Sequence, residues 1–106
     1  MIIQSDNHPT IFTFDEDISA FPKVEIGLYD KATGGMLKRW HKADITFDQI
    51  GQNYTASVSW TQEQTAALPA ETVEWDVKAL DSDGLVQFWV ITADKVEARR
   101  NREVMA

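Results

Sequence analysis

Along most of this chain, apolar side chains recur at every second position. Val24, Ile26 and Leu28 alternate with Lys23, Glu25, Gly27 and Tyr29, and Tyr54, Ala56, Val58 and Trp60 alternate with Thr55, Ser57 and Ser59. Val73, Trp75, Val77 and Ala79 do the same against Glu74, Asp76 and Lys78. A two-residue period sends alternate side chains to opposite faces, so these segments predict half-buried strands with one wet face. Thr10 to Phe14, with Phe12 and Phe14 on one face, predicts another strand, and Met1 to Gln4 a short edge strand. The glycines of KATGG allow the chain to turn after Tyr29 and return through Met36 to Trp40 as a hairpin. Ile45 and Phe47 predict a further strand, closed by the turn-prone Gly51-Gln52-Asn53.

Leu85 to Thr92 breaks the alternation. LVQFWVIT is apolar on both faces except at Gln87, as in a central strand or a strand within an oligomer interface. The Asp81-Ser82-Asp83-Gly84 turn leads into it. One helical signal stands among the strands: Thr61 can cap the backbone N–H of Gln64 while Gln64 reaches back, and Ala66, Ala67 and Leu68 favour helix until Pro69 stops it. This short helix is expected at one end of a sandwich, crossing between sheets with Leu68 as its core anchor. After Ala93, DKVEARRNREVMA is polar without a strong period and predicts an exposed arm or a marginal helix. Together the elements predict an immunoglobulin-like antiparallel β-sandwich of about seven or eight strands with one short helical turn. The sandwich is expected over residues 1–94 and a basic C-terminal arm over 95–106; a small barrel is the alternative.

Composition narrows the function classes. With 106 residues the chain suits one domain, able to bury roughly two-thirds of its unfolded surface. It has no cysteine, which excludes disulfides, thiolate metal sites and thiol redox chemistry. The net charge of −7 disfavours nucleic acid as a partner. No stretch reads as a secretory signal or a membrane span. The charge is uneven: residues 1–94 carry six basic against fifteen acidic side chains, whereas the last twelve carry four basic and two acidic ones. An acidic body therefore ends in a basic tail.

Candidate chemistry is sparse. Asp81 and Asp83 could supply oxygen ligands to calcium, but the segment lacks the alternating ligands and distal glutamate of an EF-hand, and Asp and Gly suit a tight turn for backbone reasons alone. Asp15, Glu16 and Asp17 read as a solvated loop. No carboxylate pair is singled out for acid and base work. His8 and His41 lack a second histidine at metal-ligand spacing, and Ser57, Ser59 and Ser82 lack a nucleophile-elbow context. No cofactor is expected. Aromatic platforms on a sandwich can stack against sugars, but Trp60 and Trp75 share the apolar faces of their strands and read as core. Trp40, set among cations, and Trp89, on the face opposite Phe88, are the interface candidates. Lys38, Arg39 and Lys42, and the tail residues Arg99, Arg100 and Arg102, form two basic patches. They read either as ordinary solvated charge or as docking points for the acidic body of an identical neighbour in a head-to-tail ring.

The run of strand, Thr61-x-x-x-Thr65-x-x-Leu68-Pro69 helical turn, strand with Trp75-Asp76-Val77, Asp81-x-Asp83-Gly84 turn and final apolar strand resembles small phage β-sandwich proteins. The amino-terminal domain of siphophage baseplate upper proteins is similar in this order; the likeness covers about the last half of the chain, and Ala70-Glu71 departs from the glycine that commonly follows the proline there. The resemblance implies a non-enzymatic tail or baseplate component of a phage or prophage. Such a component would assemble with its own copies and other phage structural proteins, in the virion or in the host cytoplasm during assembly. The alternative is a carbohydrate-binding module using Trp40 or Trp89, with a glycan as partner.

Overall fold

The computed structural model describes residues 1–97. Among these the strands are β1 (Ile2–Ile3), β2 (Thr10–Phe14), β3 (Lys23–Asp30), β4 (Met36–His41), β5 (Thr46–Ile50), β6 (Asn53–Val58), β7 (Thr72–Leu80) and β8 (Val86–Glu97). A single α-helix, α1 (Gln62–Ala66), lies between β6 and β7. The strands form a five-stranded sheet, ordered β1-β8-β7-β3-β4, facing a three-stranded sheet, ordered β2-β6-β5. All pairings are antiparallel except β1 with β8, where Ile2 lies beside Val96. This is the immunoglobulin-like sandwich expected from the alternation.

Strand parity builds the core. Val24, Ile26 and Leu28 of β3 and Val73, Trp75, Val77 and Ala79 of β7 turn inward and are buried, meeting Ala56 and Val58 of β6. Trp75, 1% exposed, is the hub. Trp40 stacks on it at 5.6 Å and 26°, Phe12 meets it edge-on at 5.2 Å, and Trp60 closes the group 5.0 Å from Trp40. Buried indole N–H groups need partners: Trp60 donates to Thr10 Oγ1 at 3.0 Å and Trp75 to Asp94 Oδ2 at 2.9 Å.

The helix crosses from the small sheet to the large one. Its capping box is formed, with Gln64 N–H donating to Thr61 Oγ1 at 3.1 Å and Thr61 N–H donating to Gln64 Oε1 at 2.9 Å. Leu68 is buried just beyond it. Thr65 adds a tie that local sequence does not show: its hydroxyl, 1% exposed as a residue, donates to the Asp6 carbonyl at 2.7 Å. Gln4 Nε2 donates to the Leu68 carbonyl at 2.6 Å, so helix and amino-terminal segment are sewn together.

Two sequence expectations are corrected. The strand continues through Lys95, Val96 and Glu97, three residues past the expected start of the arm. Val96 is buried in the core and pairs with Ile2, so one apolar residue between two exposed-type charges suffices to extend the sheet. Nor is β8 a central strand along its apolar run. From Val86 to Ala93 it has β7 on one side and no described strand on the other, because β1 covers only Val96 and Glu97.

Candidate functional site

The outer face of the large sheet is polar at one end and apolar at the other. Register places Glu25, Gly27 and Tyr29 of β3 beside Lys78, Asp76 and Glu74 of β7, and these in turn beside Trp89, Ile91 and Ala93 of β8. Charges dominate the middle strands, and the last strand is apolar. Trp89 is 54% exposed. Its indole N–H donates to Asp76 Oδ2 at 2.8 Å, and Lys78 Nζ lies 4.7 Å from the ring centroid while also reaching within 3.8 Å of Asp76. These contacts fix the ring against β7. Beside it is a depression of about 270 Å³ lined by Tyr29, Asp30, Lys31, Glu74, Asp76 and Ile91.

The apolar character spreads around the strand. Leu85, Val86, Val90 and Ile91 are exposed as well, while Phe88 turns inward and meets Phe14 edge-on at 5.3 Å. The two aromatics adjacent in sequence thus divide between core and solvent. Gly84 takes a positive φ of 82° to close the turn before β8, a conformation that glycine adopts without steric cost.

The remaining candidates fall elsewhere. Trp40 is a core residue, not a contact residue: at 5% exposure its ring is covered by Trp60 and Trp75, and the nearby cation that made it look peripheral, Lys38, lies 5.1 Å from the ring centroid. The rest of that basic patch is already engaged. Lys42 Nζ donates to the Ser19 and Phe21 carbonyls at 2.9 and 2.7 Å, and Arg39 donates to the Tyr29 hydroxyl at 3.3 Å. Arg99, Arg100 and Arg102 lie outside the described residues.

The acidic residues serve the backbone. Asp81 Oδ1 accepts from the N–H groups of Asp83 and Leu85, and Oδ2 from Gln87. Asp17 accepts from Ser19 N–H at the start of a 3-10 turn. His8 pairs with Asp6 at 2.9 Å and His41 lies 3.7 Å from Glu25, so the two histidines stand apart on separate partners.

One carboxyl pair emerges only in three dimensions. Glu71 lies against Asp30, whose Oδ1 also accepts the Ala32 N–H at 2.8 Å in the β3–β4 turn. The hydrogen bond between the two carboxyls raises Glu71 above its ordinary value and lowers Asp30. At Asp94, burial alone would raise the pKa, but the Met1 ammonium at 2.6 Å and the Trp75 indole outweigh it and lower it. Asp30 and Asp94 thus have structural partners, whereas Glu71 Oε1 is buried without a hydrogen-bond partner among the described residues.

Among the described residues, no three His, Cys, Asp or Glu side chains are grouped to hold a metal, and no helix is long and apolar enough to cross a membrane. No protein-family profile matches the chain, and no curated protein is similar to it. Among solved structures it is similar to AggA, the major subunit of aggregative adherence fimbriae type I from Escherichia coli. The two align over 93% of this chain and 91% of that one, at 15% identity and a TM-score of 0.34, too slight a likeness to carry a role from one to the other.

Proposed function

We propose that this protein is a structural or assembly module that works through protein–protein contacts, of the tail or baseplate type found in phage and prophage particles. The observation that carries the contact role is β8: an apolar strand that leaves Trp89, Val90 and Ile91 exposed to solvent. The phage assignment is supported by the residue pattern it resembles. Thr61, Thr65, Leu68 and the Asp81–Gly84 turn are spent on capping, anchoring and turning, which is what a module selected for shape requires. Its working place would be the virion, or the host cytoplasm while particles assemble.

Mixing the purified chain with purified tail and baseplate components, followed by light scattering, tests the reading. A complex of defined mass supports it. Failure to join any of them under conditions where those components assemble among themselves overturns the phage assignment.

A second reading has one observation in its favour. An exposed indole beside a depression edged by Asp76, Glu74 and Lys31 is the arrangement that stacks on a sugar ring and hydrogen-bonds its hydroxyls. Quenching of Trp89 emission by bacterial wall glycans would support a carbohydrate-binding module, and no response across a broad panel would remove it.

A further inference from the structure

The connection from β2 to β3 closes one end of the sandwich and leaves a depression of about 280 Å³ against β5 and β6. Phe14, Phe47 and Tyr54, all half-buried, wall it, and Asp17, Asp48 and Gln49 line it as well. Asp17 Oδ1 accepts the Ser19 N–H. Among the described residues, no side-chain hydrogen bond or ion pair engages the Asp48 carboxylate or the Tyr54 hydroxyl. Aromatic faces beside an unpaired carboxylate suit a guanidinium, which stacks on rings and donates two parallel hydrogen bonds to a carboxylate. The surroundings agree in sign. Residues 15–25, 41–54 and 81–88 meet at this end and hold eight acidic side chains against Lys23 and Lys42, and Lys42 is already bound to the Ser19 and Phe21 carbonyls.

We infer that this depression receives the arginines that follow β8 in a second copy of the chain. The inference rests on the protein-contact reading and names its partner. Arg99, Arg100 and Arg102 lie within five residues of Glu97, and Glu103 is the one acid among residues 98–106. Length excludes the chain's own arginines. Phe14 meets Phe88 near the start of β8, and the residues from Phe88 to Glu97 carry that strand about 30 Å to the far end of the sandwich. Even fully extended, the chain from Glu97 to Arg102 spans at most about 18 Å, and an arginine side chain adds less than the difference.

The carboxylates that the arginines of the same copy could reach are already engaged. Where β8 stops, Asp6 is paired with His8, Asp94 with the Met1 ammonium and Glu97 with Lys95. Glu71 adjoins Asp30, which accepts the Ala32 N–H, and Glu63 has no second acid beside it in α1. Glu74 and Asp76 line the depression beside Trp89, but Lys31 lines it too and Lys78 reaches Asp76 at 3.8 Å. An arginine there meets cations, whereas no cation lines the depression at Asp48. Joining one end of a copy to the opposite end of the next is heterologous, so every copy carries both halves of the junction.

Light scattering over a micromolar concentration series should show the natural chain associating. Asp48→Lys, at an exposed position, and the combined Arg99→Glu, Arg100→Glu and Arg102→Glu should each raise the dissociation constant at least about tenfold while leaving the circular dichroism spectrum and melting temperature unchanged. Glu74→Lys should leave association as it was. The two weakened chains keep opposite halves of one junction, so a mixture of them should form a one-to-one dimer that neither forms alone. A monomer throughout the series, association indifferent to Asp48→Lys, loss on Glu74→Lys instead, or a mixture no larger than its parts overturns the inference. A chain that stays monomeric yet joins tail components refutes this junction alone and leaves the assembly role standing.

Discussion

Truncating two tryptophans separates what the core holds from what the surface displays. Trp40 is 5% exposed and packed between Trp75 and Trp60. Removing its indole leaves a hole walled by two rings that are themselves fixed, so collapse is limited, and Trp40→Ala should cost about 3–5 kcal/mol. A domain of this size is stable by roughly 5–15 kcal/mol in total, so that loss is a large share of it. Trp89 is 54% exposed. Less than half of its surface leaves water on folding, on the order of 100 Å², which at about 25 cal/mol per Å² gives at most about 2.5 kcal/mol for Trp89→Ala. Urea unfolding followed by far-ultraviolet circular dichroism, in protein dilute enough to be monomeric, gives both values if the slope is unchanged. Acrylamide quenching gives an independent reading, because Trp89→Ala should abolish the accessible fraction of emission and Trp40→Ala should not. Equal destabilisation by the two substitutions, or persistent quenching in Trp89→Ala, would refute the placement of both rings.

Other substitutions test the remaining joints. Thr61→Ala removes the helix cap and should lower stability by about 1 kcal/mol in the same unfolding assay. Thr65→Val keeps the shape but leaves the Asp6 carbonyl without its buried donor, and should cost about 1–3 kcal/mol. Because Glu71 titrates above its ordinary 4.5, the folded chain holds more protons than the unfolded one just above that pH, and this contribution to stability is lost as pH rises. Glu71→Gln keeps a donor toward Asp30 and should remove that decline, so the melting temperature of the natural chain relative to the variant should fall between pH 4.5 and neutrality. Arg100→Glu should leave the melting temperature unchanged and weaken association with particle components; a fall in melting temperature comparable to that of Trp40→Ala would remove the tail from any docking role.

Much of the architecture was legible because it is written locally. The alternation in β3, β6 and β7, and the Thr61–Gln64 capping box, are short-range patterns imposed by strand and helix geometry, and each forms where the pattern places it. The end of β8 was not legible, since a strand that needs only Val96 in the core shows no period among Lys95, Glu97 and their neighbours. Trp40 misled for a related reason: a cation over an edge-strand indole reads in sequence as a wet aromatic. The Asp30–Glu71 and Thr65–Asp6 pairs unite segments far apart in the chain, and no spacing rule encodes them. Trp89 was visible only as one member of an aromatic pair; which of Phe88 and Trp89 faces outward depends on the register with β7.

The parallel pairing of β1 with β8 also has a mechanical consequence. Ile2 and Val96 lie side by side on strands that run in the same direction, so tension drawing the chain's two ends apart slides these strands lengthwise past each other. The bonds between them, including Gln4 N–H to the Glu97 carbonyl, would then strain together and not peel one by one. A module strung into a stretched assembly through its ends would resist pulling at that seam.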